Sequence, residues 1–193
     1  MFKMLSNKNL IRCFFAIELP DEVKRWILDE VIAPLSALPV RVRWVRADGI
    51  HITVRFLGEV SGDVVEYIVG RAGDVIRGIS PIRLRLSAPG TFGGRVPRVV
   101  WIGVEGDLER LGELHDCIER LCRDAGLPPD DRRFSPHITI GRVKSPANTG
   151  RMMSKMKEIV IEPLEFIVNG VVLFRSTLTP QGAVYDPIDE FSL

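Results

Sequence analysis

Cysteine, histidine and net charge are what this 193-residue chain has little of: three cysteines, three histidines and a formal charge of +1. The thiols of Cys13, Cys117 and Cys122 cannot all pair with one another, and Cys117 and Cys122 stand five apart in a helix-like segment. A disulfide-stapled secreted scaffold is thereby excluded, and the thiols read as reduced, as in a cytoplasmic protein. Lysine plus arginine number 26 against 25 acidic residues, so neither a globally basic coat nor an acidic solvating tail fits. Only a local basic surface stays open. Long apolar runs are missing too. Val99–Val104 and Phe166–Phe174 are strand-sized, far short of a membrane span. Met1–Leu10 is polar and precedes a strand-like run rather than a signal core. Residues 1–10 read as an N-terminal extension, either disordered or an over-long start, with the fold occupying 11–193.

What is present is ample apolar material, 46% of residues, for one domain or two tightly joined lobes. Ile11–Glu18 has the β-branched and aromatic content of a buried strand. Pro20-Asp21 opens a helix with Val23, Trp26, Ile27 and Val31 on one face, closed by Pro34 and Pro39. Val42–Arg46 and Ile50–Leu57 read as strands around a turn at Asp48-Gly49. A second amphipathic helix starts at Ser61, then comes a half-exposed strand over Pro81–Ser87, a glycine-rich loop over Pro89–Pro97 and a strand over Arg98–Val104. The second half repeats this grammar. It has a helix over Asp107–Ala125, with Leu108, Leu111, Leu114, Ile118 and Leu121 inward, then a strand at His137–Val143. A helix around Arg151–Ile159 and strands near Leu164–Arg175 and Ala183–Pro187 complete the chain. Helices between strand pairs, without long crossovers, predict an α+β fold with mostly antiparallel sheets.

One pattern recurs. His51-Ile52-Thr53-Val54 and His137-Ile138-Thr139-Ile140 lie 86 residues apart, close to half the chain, and hold two of its three histidines. On a strand, residues i and i+2 share a face, so His51 sides with Thr53 and His137 with Thr139. The intervening isoleucines and Val54 then point into the core. With pseudo-twofold packing of the halves, two imidazoles and two hydroxyls line one cleft. Imidazole titrates near neutrality, so one ring can give a proton while the other takes one. Hydroxyls can donate to the non-bridging oxygens of a phosphate. A phosphodiester held between two histidines is the economical reading, with no metal. A lone His-x-Thr is more often an ordinary strand histidine; duplication at half-chain spacing reverses that weighting. Neither motif has a second metal-ligating residue close by, and nothing resembles H-E-x-x-H or paired C-x-x-C.

The paired motifs resemble the two H-x-T-x signatures of the 2H phosphoesterase superfamily. HITVRFLG at His51–Gly58, GTFGGRVPRVVWIGV at Gly90–Val104, FSPHITIGR at Phe134–Arg142 and FRSTLTPQGAVY at Phe174–Tyr185 narrow the likeness to its RNA 2',3'-cyclic phosphodiesterase family. That resemblance implies a bilobal fold, two pseudo-twofold-related lobes of antiparallel sheet with outer helices around a central cleft. It implies metal-independent, cofactor-free opening of RNA 2',3'-cyclic phosphate ends to 2'-phosphates, with weak 2'-5' joining as a secondary reverse reaction. It implies His51 as proton donor to the departing O3', His137 as acceptor from the attacking water, and Thr53 and Thr139 as phosphate-holding residues. RNA ends, tRNA fragments among them, are the implied partners, and a cytoplasmic monomer suffices for a site built within one chain. Rival readings are another cyclic or 2'-5'-linked nucleotide as substrate, or a non-catalytic RNA-end-binding module.

Other residues carry weaker expectations. Arg142 falls on the face opposite His137 by simple alternation; a bulge permitted by Gly141 turns it to the cleft, where it meets phosphate or RNA. Phe134 is a candidate base-stacking residue, with a plain core role as the commoner alternative. Arg41, Arg43, Arg46, Arg55, Arg132 and Arg133 flank the motifs as a candidate positive rim, each alone reading as a solvated surface arginine. His115 reads as structural or exposed, Asp130-Asp131 as a turn, and Cys13 as core.

Overall fold

The computed structural model describes residues 10–162, 164–180 and 182–193. The extension expected over residues 1–10 lies outside them, except for Leu10, which is exposed.

Chain order runs β1 (Ile11–Glu18), α1 (Asp21–Trp26), a π-helical stretch at Ile27–Ile32, α2 (Ala33–Ser36), β2 (Val42–Trp44), β3 (His51–Val60) and α3 (Gly62–Ile76). It continues with β4 (Ile82–Phe92), β5 (Val99–Gly106), α4 (Leu108–Asp124), β6 (His137–Val143), α5 (Thr149–Glu158), β7 (Glu165–Val168), β8 (Gly170–Thr179) and β9 (Gly182–Ser192). All the strand pairings are antiparallel, and among the described residues the strands form one sheet ordered β7-β4-β5-β6-β3-β1-β8-β9, with β2 added on β6. The expected α+β class and two-lobed plan hold. One lobe is β3-β1-β8-β9 and the other β6-β5-β4-β7, fused at β3–β6 into a continuous curled sheet.

The periodicity of the sequence explains the packing. In α4, Leu111, Leu114, Ile118 and Leu121 recur every three or four residues and are all buried. Each such burial contributes roughly 1.5–3 kcal/mol. Leu108, expected on the same stripe, is 42% exposed in the first turn of the helix, where the stripe has not yet reached the core. Helices α3 and α4 pack on each other and on one side of the sheet, joining the main core. On the other side, Phe14, Ala16, Val172 and Phe174 make a smaller apolar cluster with Tyr185 against it.

Four local expectations are corrected. Pro34 does not close the first helix: the chain widens into a π turn, with Ala33 N–H bonding to Leu28 O, and continues to Ser36 with Pro34 in the first turn of α2. The glycine-rich loop begins only after Phe92, because Pro89–Phe92 pairs with β5. Gly90 lies under the Trp101 indole, which occupies the space a Cβ would take. Composition signalled a turn; tertiary pairing overrides it. The strand expected over Leu164–Arg175 is two strands, β7 and β8, in different lobes of the sheet. The last strand also extends beyond Pro187, running to Ser192.

Candidate active site

Strands β3 and β6 meet in antiparallel register at Ile52 and Ile138, both fully buried. That register sets His51 beside Thr139 and Thr53 beside His137, all four on the face away from the core. They line a cleft of about 480 Å³ together with Arg142 and Tyr185. Neither threonine hydroxyl has a hydrogen-bond partner among the described residues, so both are available to an incoming oxygen. A bond from His137 Nδ1 to the Ser135 carbonyl, 2.8 Å long, assigns the proton of the neutral ring to Nδ1 and leaves Nε2 as an acceptor.

The two rings sit in different surroundings. His51 packs at 5.1 Å from Phe14 and edge-on to Tyr185 at 5.3 Å, against the small aromatic cluster. Burial, reinforced by the Lys24 ammonium and by His137, lowers its pKa from 6.5 to about 4. His137 contacts Phe92 edge-on at 4.9 Å.

Both motif strands bulge immediately after the threonine. Against β1, Thr53 pairs with Ala16 and Arg55 with Phe15, leaving Val54 unopposed. Against β5, Thr139 pairs with Trp101 and Gly141 with Val100, leaving Ile140 unopposed. Each bulge reverses the alternation beyond it. Arg142 is thereby turned onto the cleft face, as the bulge reading expected, although the unopposed residue is Ile140 rather than Gly141. Gly141 turns under β2, where a Cβ would come within 2.7 Å of Val42 and 2.9 Å of Trp44.

The same device corrects the reading of Arg55. It is 7% exposed, not part of a solvated rim. Its guanidinium bonds Glu119 Oε2 on α4, the Pro128 carbonyl at 2.6 Å and the Phe56 carbonyl. In its place Phe56, 40% exposed, lines the cleft. Phe134 also lines the cleft, but one of its faces is taken by His115, stacked at 4.3 Å and nearly parallel. Asp130 accepts the Arg132 N–H on Oδ1 at a bend of the loop before β6 and also lines the cleft, and Asp131 lies in irregular chain beside it. His115, Phe56, Phe92 and Tyr185 were missed as cleft residues. The bulge places Phe56, the β4–β5 and β8–β9 hairpins place Phe92 and Tyr185, and the packing of α4 places His115.

Among the described residues, no three His, Cys, Asp or Glu side chains come together as a metal-ligand set. No described helix is long and apolar enough to cross a membrane.

The chain is similar to known proteins over most of its length. A family model described as the 2'-5' RNA ligase superfamily matches residues 40–179. The RNA 2',3'-cyclic phosphodiesterase of Methanothermobacter thermautotrophicus is 31% identical over 185 residues, covering 95% of this chain and 99% of its own. Its namesake from Thermotoga maritima is 32% identical, covering 93% and 94%. Among solved structures, E. coli LigT complexed with 3'-AMP matches with a TM-score of 0.75 at 29% identity, covering 95% of this chain and 98% of that one. With its duplicated motif seated at the junction of two lobes, this chain belongs to the 2'-5' RNA ligase superfamily.

Proposed function

We propose that the chain is a hydrolase of RNA 2',3'-cyclic phosphodiester ends, releasing 2'-phosphomonoesters, with His51 and His137 as its acid–base pair. The observation that carries this reading is the diagonal placement of two histidines and two threonine hydroxyls on one face of the β3–β6 junction. The reaction class is supported by relatives that bear the name RNA 2',3'-cyclic phosphodiesterase and match nearly end to end.

Water attacks phosphorus in line with the P–O3' bond. His137 Nε2 takes the water proton, and the Nδ1 bond to the Ser135 carbonyl steadies the imidazolium that forms. The P–O3' bond breaks and His51 gives a proton to O3', leaving a 3'-hydroxyl and a 2'-phosphate. Thr53 and Thr139 donate to the non-bridging oxygens. His51 is neutral at pH 7 in the free site, because burial outweighs proton binding there. An anionic phosphodiester in the cleft supplies the opposite charge that draws a proton onto it. The donor and acceptor roles rest on the family resemblance. Proton transfer and hydrogen bonding complete the scheme without a metal or cofactor. The free thiols of Cys13, Cys117 and Cys122 support a cytoplasmic setting, and a site contained in one chain supports a monomer acting on RNA ends such as tRNA fragments.

The test is phosphorus NMR of a short RNA ending in a 2',3'-cyclic phosphate, incubated with EDTA-treated protein. A 2'-phosphate resonance that is lost in His51→Ala and His137→Ala is the expected result. An unchanged cyclic phosphate overturns the reading, and activity that returns only with a divalent ion overturns its metal-free form.

A further inference from the structure

Beyond the cleft, β2 and the end of β6 carry a run of cations. Val42 pairs with Val143, and Arg43 with Arg142. One step outward, the Lys144 N–H donates to the Arg41 carbonyl at 2.7 Å, extending the same register. Val42, Trp44 and Val143 pack against the core, so strand alternation sets Arg41, Arg43, Arg142 and Lys144 together on the opposite face. All four are exposed. None has a carboxylate within salt-bridge distance among the described residues.

Two like-charged pairs set directly opposite each other destabilise a sheet. They repel here with no ion-paired acid among the described residues, which is the arrangement an external polyanion neutralises. Arg142 belongs both to this ladder and to the cleft wall. Successive rungs on one strand lie about 6.6 Å apart, comparable to the spacing of phosphates along an extended nucleotide chain. The chain's net charge of +1 conceals this local concentration.

We propose that Arg41, Arg43, Arg142 and Lys144 form a track for the phosphodiester backbone of the RNA leading away from the cleft, so that these side chains set how turnover depends on RNA length. The proposal rests on the functional reading above and extends it from the reacting phosphate to the phosphates beyond.

The experiment compares a mononucleotide 2',3'-cyclic phosphate with tetra- and octanucleotides ending in the same group, using wild type and an Arg41→Ala/Arg43→Ala/Lys144→Ala variant that spares Arg142. Wild type is expected to show kcat/KM rising at least tenfold with length. In the variant that length advantage collapses through KM, and Arg43→Lys retains most of it. Equal kcat/KM for all lengths in wild type overturns the track. A second arm is independent of turnover: fluorescence anisotropy of a labelled octanucleotide bearing a 2'-phosphate, titrated at several salt concentrations. The variant is expected to bind about tenfold more weakly, with a salt slope shallower by roughly one per cation lost. An unchanged affinity and slope overturn the track even if the cleft is active. A wild type that binds RNA with the expected slope but hydrolyses none of the substrates keeps the track and overturns the catalytic reading alone.

Discussion

Ile52 and Ile138 face each other in the antiparallel register that joins the two lobes, and both are sealed from solvent. This pair marks the local dyad of the molecule. Because the motifs pair antiparallel about Ile52 and Ile138, each histidine meets the other motif's threonine. Beyond the bulges the lobes differ: Arg55 corresponds to Gly141, and Phe56 to Arg142. A symmetric scaffold thus presents an aromatic ring on one side of the cleft and a guanidinium on the other.

Loss of either ring should remove proton transfer without disturbing the core. His51→Ala and His137→Ala should each lower kcat by roughly 10²–10⁴, with circular dichroism unchanged. Thr53→Ala and Thr139→Ala should each cost less, about 1.5–3 kcal/mol for one hydrogen bond to a charged oxygen. Wild-type turnover in either histidine variant contradicts the assignment.

The depressed His51 pKa has a sign that a proton NMR titration reads directly. In the free enzyme the His51 ring resonances, assigned by their absence from His51→Ala, are expected to titrate near pH 4. Inorganic phosphate seated in the cleft should move that midpoint upward, because an anion favours the charged ring. Stability obeys the same linkage. The unfolded chain binds the His51 proton more readily, so the contribution of His51 to stability rises from pH 4 to about 6.5 and is flat above. A free-enzyme midpoint at about the ordinary imidazole value of 6.5 would show that the ring is not desolvated.

Arg55 ties β3 to α4 and to the segment after it, through Glu119 and the Pro128 carbonyl. Removing it leaves a half-buried carboxylate and two carbonyls without their donor. Arg55→Ala is expected to lower unfolding free energy by about 3–5 kcal/mol, read from the urea midpoint. Arg55→Lys keeps the charge but not the three-way fork, and should fall between. A midpoint unchanged in Arg55→Ala would mean that the network contributes nothing net.

Thiol reactivity should separate the cysteines. Burial raises Cys13 to about 11 and Cys122 to about 12, while Cys117 is half-buried at the surface of α4. Iodoacetamide under mildly alkaline conditions is expected to label Cys117 alone in the native state, and all three after denaturation, by intact mass. Native labelling of Cys122 would indicate that the α4 face opens readily.

The sequence by itself determined most of the elements and which residues of each motif share a face. Alternation in H-I-T-V and H-I-T-I sends Ile52, Val54, Ile138 and Ile140 inward, and all four are buried. The three-and-four spacing in α4 likewise named its buried face. Tertiary structure alone decided the course of each strand past its threonine. A bulge exists only relative to a partner strand, as two residues set against one, so Gly141 could hint at one but nothing local could place it at Ile140 or reveal its counterpart at Val54. The burial of Arg55 depends on Glu119, 64 residues away, and the proton affinity of His51 depends on Phe14 and Tyr185 packed around it. Local periodicity records which way a side chain points, whereas register, desolvation and charge pairing are properties of what the folded chain brings alongside it.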